Sequence, residues 1–101
     1  MIPLVVAYYA AASAAAMGGA AAAKLLHSKA QHLEVVERAR HEAEARKQYL
    51  KTQMSLEEMR REAAEAGLDP RLIDEGYEAI VAQKVSPEDV RAFLESMSRS
   101  S

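Results

Sequence analysis

The sequence predicts an all-α protein in three parts: a single N-terminal transmembrane helix, a long polar helix and a C-terminal mini-bundle of three short helices. Three observations carry this expectation. Residues 2–23 are uncharged and rich in Ala; residues 27–54 are charged helix formers with no Gly or Pro; from Ser55 onward, capping residues punctuate apolar repeats at short intervals. The corresponding parts are 1–26, 27–54 and 55–101.

The first element follows from charge distribution. All 28 charged residues lie at or beyond Lys24, so the 50% hydrophobic content of the 101 residues describes neither end of the chain. The 22 residues from Ile2 to Ala23 would span about 33 Å as a helix, against a hydrocarbon core of about 30 Å. Pro3 suits a first helical turn, and Tyr8 and Tyr9 suit an interfacial belt if the span shifts toward Leu26. Lys24, His27 and Lys29, followed by Arg38 and Arg40, mark the far end. By the positive-inside bias they place the C-terminal tail in the cytoplasm of a bacterium or the matrix of a mitochondrion, and the mitochondrial inner membrane is the expected site.

From Ala10 to Ala23 every residue except Met17 is Ala, Gly or Ser, which gains little from lipid and suits close helix contact. Ala14, Gly18 and Ala22 form one small-xxx-small row, expected to be a packing face. Simple alanine bias is the competing explanation, because Ala is also a plain helix former. A secretory signal is disfavoured, since no Lys or Arg precedes the apolar run. A soluble helix buried inside a large assembly remains a further alternative.

The second element, from Leu25 to Met54, is expected to be one continuous helix of about 45 Å. Its apolar residues Leu26, Leu33, Val36, Ala43, Leu50 and Met54 recur close to every seven positions, but Arg40 and Lys47 interrupt the seam. An arm lying across a partner fits this better than a self-paired coiled coil, with Leu33, Val36, Leu50 and Met54 as partner-facing residues. A solvated single helix is the plain alternative.

The third part is cut by start and stop signals. Ser55 with Glu58 forms a capping box and Gly67 closes that helix. Asp69 with Pro70, and Ser86 with Pro87, are pairs of N-cap and first helical residue. The helix from Pro70 is expected to reach Gln83 or Lys84 despite Gly76, and the last to reach about Met97. Apolar stripes fall on Leu56, Met59 and Ala63; on Leu72, Ile73, Tyr77, Ile80 and Val81; and on Val90, Phe93, Leu94 and Met97. About 45 residues is near the lower limit for a self-sufficient core, so a partner is expected to prop this bundle. Its architecture resembles a ubiquitin-associated domain. Ala66, Gly67 and Leu68 stand where those modules carry a Met-Gly-Phe or Met-Gly-Tyr loop, so the resemblance ends at architecture.

Chemistry is sparse. The chain has no cysteine, which removes disulfides, thiol nucleophiles and Cys-based metal sites. His41 and Glu42 begin a zinc-protease-like pattern, but Ala45 replaces the second histidine. His27 and His32 point to different sides of a helix and suit a membrane surface better than a shared metal. The pairs Glu57–Glu58, Asp74–Glu75 and Glu88–Asp89 are helix neighbours that point apart. No catalytic, cofactor or metal residue is therefore expected, and a net charge of −2 disfavours nucleic acid.

The expected function is a non-catalytic, single-pass accessory or assembly subunit of a multi-subunit membrane complex, of the respiratory or ATP synthase kind. Its partners would be other subunits and membrane lipids, with no small-molecule substrate. The alternative is a membrane-tethered adaptor whose terminal three-helix module binds a soluble protein.

Overall fold

A computed structural model describes residues 2–18, 24–26, 29–83 and 85–100. Among them are six helices and no strand: α1 (Leu4–Ala16), α2 (Lys29–Ala39), α3 (Glu42–Lys51), α4 (Leu56–Glu65), α5 (Pro70–Gln83) and α6 (Pro87–Ser100). The all-α class expected from the sequence is thus observed.

The organising element is α1. Nine consecutive residues, Val6 to Ala14, are buried, so the helix is covered on every side of its circumference. A helix apolar all round must sit inside either lipid or protein. Here protein covers it, with α2, α3, α4, α5 and α6 all packed against it. The described residues fit within principal extents of 33 × 28 × 26 Å.

The expected membrane span is not found. Among the described residues no helix is long and apolar enough to cross a membrane. The helix has 13 residues, or about 20 Å, and Gly18 marks its end with φ +97°. There the Met17 N–H donates to the Ser13 carbonyl at 3.0 Å and the Gly18 N–H to that of Ala15 at 3.2 Å. Left-handed backbone of this kind stops a helix, and glycine adopts it without Cβ strain.

The expected continuous arm is also corrected. The chain from Lys29 to Lys51 breaks at Arg40 and His41, with His41 at φ −81° and ψ 55°. Packing explains a break that no Gly or Pro announces. A straight rod of about 45 Å would run past a core helix of about 20 Å, whereas two shorter helices both stay in contact with it. The break resets the buried face: α2 buries Val35, Val36 and Ala39, and α3 buries Ala45, while Ala43 and Leu33 stay exposed.

Local signals in the remaining helices act as their chemistry requires. Ser55 Oγ accepts from the Glu58 N–H at 3.2 Å, and Asp69 Oδ1 from the Arg71 N–H at 2.8 Å. Ser86 and Asp89 cap each other: the Asp89 N–H donates to Ser86 Oγ at 3.2 Å and the Ser86 N–H to Asp89 Oδ2 at 3.1 Å. Gly67, at φ +91°, closes α4 while the Leu68 N–H reaches back to the Ala63 carbonyl at 3.2 Å. The freed Gly67 carbonyl accepts from Gln31 Nε2 of α2 at 2.6 Å, tying this turn to the arm.

The three tail helices meet chiefly through α1. Helix α4 packs on α5, but Leu72 and Ile73 of α5 and Val90, Phe93, Leu94 and Met97 of α6 are buried around the central helix. The tightest crossing is that of α1 and α5 at Ser13 and Gly76. A Cβ at Gly76 would lie 2.2 Å from Ser13 Cβ and 3.1 Å from Ser13 Cα, so only glycine permits this approach.

Candidate functional site

Among the described residues, three of the surface hollows differ clearly in their chemistry. The first lies between α4 and α5 and has a volume of about 490 Å³, lined by Glu57, Arg60, Arg61 and Asp74 among others. Arg60 lies 4.6 Å above the Tyr77 ring and 3.9 Å from Asp74 Oδ1. Cations and carboxylates alternate here, so no net charge is left to collect a charged ligand. The second, about 680 Å³, is bounded by Leu4, Glu34, Glu37, Arg38, His41 and Glu44. The Ile2 backbone N–H donates to Glu34. Among the described residues, no group of three or more His, Asp or Glu side chains converges as metal ligands would.

The third hollow is mainly apolar and is built by four helices. Tyr8 and Ala12 of α1, Tyr49 and Leu50 of α3, Ile80 of α5, and Val85, Pro87 and Val90 at the start of α6 line a groove of about 170 Å³, with Arg46 on its wall. The Tyr8 and Tyr49 rings are 5.0 Å apart and tilted by 52°, within the range of favourable aromatic pairing. Burial pushes both phenols above their ordinary pKa, and for Tyr8 the Arg46 guanidinium opposes that shift. At the α3–α6 edge Arg91 Nε donates to Glu42 Oε2 at 2.9 Å, which raises the Arg91 pKa. Leu50 is 67% exposed at the groove and Val81, next to Ile80, is 58% exposed. A volume of about 170 Å³ is below the roughly 300–1,000 Å³ of small-molecule sites and suits a single apolar side chain.

The residues singled out in the sequence are dispersed. Ala14 is buried in α1, whereas Gly18 lies beyond the helix end, exposed, with nothing within 4 Å of where its Cβ would be. Ala22 and His27 lie outside the described residues. Among the described residues, a close small-residue contact forms between Ser13 and Gly76. Of the arm residues, Val36 is buried, Met54 is partly buried against the core, Leu33 is 43% exposed, and Leu50 flanks the groove. His32 sits beside Leu33 and Met97 with its Nε2 atom buried and unpartnered.

Sequence reasoning missed the pairing of Tyr8 with Tyr49, which defines the groove. The available signal was an aromatic residue in each of two segments otherwise poor in them. In the core, the Tyr9 hydroxyl donates to the Ile73 carbonyl at 3.1 Å. Burial pushes its pKa up to about 12, and the nearby Ser13 hydroxyl works against that shift. Ser13 Oγ itself lacks hydrogen-bond geometry to any group. No family model, curated protein or solved structure matches the chain.

Proposed function

We propose that this chain is a non-catalytic helical accessory protein that works by packing against a larger assembly. The observation that supports it most is α1, a helix apolar on all sides, around which amphipathic helices form a small apolar groove. Such a molecule offers shape and apolar contact to a partner.

The finer reading is that the assembly is a membrane complex in which the chain is a single-pass subunit. What supports it is the sequence: 22 uncharged residues, followed by Lys24 and Lys29. On this reading α1 leaves its sheath and lengthens through the Ala run when it enters lipid. The test is carbonate extraction of membranes from cells making the tagged chain, followed by mild-detergent purification. Retention in the pellet with a constant set of co-purifying subunits is expected; release into the supernatant would overturn the membrane part. A protease added to sealed cells or mitoplasts should spare the tail from residue 29 onward.

A second reading, an adaptor that catches a soluble partner, is supported by the exposed Leu50 beside its groove. It differs in that the partner should co-purify from the soluble fraction.

A further inference from the structure

The groove beside Leu50 has one apolar lining and two differently charged flanks. On α3, Arg46, Lys47 and Lys51 are all exposed, and no ion pair among the described residues engages them. Their own helix carries two carboxylates, Glu42 and Glu44, and Glu42 is already held by Arg91 at 2.9 Å. At the opposite end, Asp89 is committed to the Ser86 cap. Leu50 is thus left 67% exposed beside a hollow sized for one side chain, with Arg46 on its wall and on a helix whose three cations outnumber its two carboxylates. Lipid headgroups would meet such cations equally well, but an apolar slot of about 170 Å³ between helices matches one protruding side chain better than a flat interface.

We propose that this groove is a docking site for an acidic amphipathic helix of a partner protein. The helix places one large apolar side chain between Tyr8, Tyr49 and Val90, covers Leu50 with the next turn, and sets its carboxylates against Arg46, Lys47 and Lys51. This deepens the coarser accessory reading, in which α1 stays inside the bundle and lends Tyr8 and Ala12 to the groove, and rests on it, since it names the kind of surface the partner must present. The apolar insertion supplies most of the affinity, and the charges fix the direction in which the helix lies.

The test uses the full chain, isotope-labelled, in buffer or in whichever mild detergent keeps it monodisperse. Two synthetic helix-stabilised peptides share Leu at i, i+3, i+4 and i+7 and differ only in carrying Glu or Lys at the remaining positions. The Glu peptide is expected to shift the backbone signals of Tyr8, Tyr49, Leu50 and Val90. Leu50→Asp and Arg46→Glu should each weaken its binding by about tenfold, a loss of about 1.4 kcal/mol. Leu33→Asp, at an exposed position on α2, should leave it unchanged. Raising the salt should weaken it as well.

Equal binding of the Lys peptide, shifts that map elsewhere, or concentration-dependent self-association through these same residues would overturn the proposal. Binding to vesicles of anionic lipid that Arg46→Glu abolishes, without peptide binding, would overturn it in favour of a headgroup site. Failure of peptide binding with co-purification intact removes the groove and leaves the accessory reading standing. Peptide binding without any co-purifying assembly does the reverse.

Discussion

Replacing Gly76 by Ala sets two effects of opposite sign against each other, and the crossing of α1 and α5 decides between them. In an exposed helix interior the change is favourable by about 1 kcal/mol, because alanine is the better helix former. At Gly76 the added Cβ would lie 2.2 Å from Ser13 Cβ, 2.6 Å from Ser13 Oγ and 3.1 Å from Ser13 Cα. The last contact is with backbone, so no side-chain rotation relieves it and the two helices must separate. Separation also lengthens the 3.1 Å hydrogen bond from Tyr9 to the Ile73 carbonyl. Overpacking typically costs about 1–3 kcal/mol, and a backbone contact in the central crossing belongs near the upper end. The net expectation is a loss of about 2 kcal/mol, or a fall in Tm of about 10 °C for a chain of this size.

Urea or thermal unfolding followed by circular dichroism measures this directly. Ser13→Gly in the same chain removes the partner Cβ and should restore about half of the loss or more, so the double variant is less destabilised than the two single losses added together. A Gly76→Ala chain as stable as the wild type, or more stable, would refute the reasoning, because helix propensity alone would then govern the position. Additive effects of the two substitutions would refute the claim that they meet.

Other substitutions probe the same core. Ser13→Ala removes a fully buried hydroxyl with no partner and should stabilise the fold by about 1 kcal/mol in the same unfolding assay. Tyr9 has its pKa raised from 10.0 to about 12 in the folded state, so its contribution is complete below pH 10 and is lost as pH rises from about 10 toward 12. Melting curves across that interval should show Tyr9→Phe falling less steeply than the wild type, with a cost of about 1 kcal/mol at neutral pH for the lost hydrogen bond. Gly18→Ala places a side chain at φ +97° in open space and should cost about 1 kcal/mol from backbone strain alone, whereas Gly18→Asn, which tolerates left-handed backbone better, should cost less.

Much of the helical pattern was legible because its causes are local. A capping hydroxyl or carboxylate reaches a backbone N–H only two or three residues away, so Ser55, Asp69 and Ser86 announced helix starts wherever the rest of the chain might lie. Gly67 announced a stop for the same reason. The stripes on α5 and α6 marked buried faces at Leu72, Ile73, Val90, Phe93, Leu94 and Met97, since periodicity identifies the side that must leave water. Local patterning could not reveal the groove, because its residues come from four helices and their spacing in sequence carries no common period.

The sequence by itself determined that the chain is helical, where most tail helices begin, and that the segment around Val6 to Ala14 must be taken out of water. Only the tertiary structure decided what surrounds that segment. Hydropathy reports the cost of contact with water and is the same whether the replacement is lipid or five amphipathic helices, so composition alone favoured a span while packing places α1 inside the bundle. The same holds for the break at Arg40 and His41, which no local residue demands and which arises because α2 and α3 must both stay on a helix of about 20 Å. It holds again for Gly76, tolerated in a helix at a propensity cost and required there only because α1 passes within contact distance of its backbone.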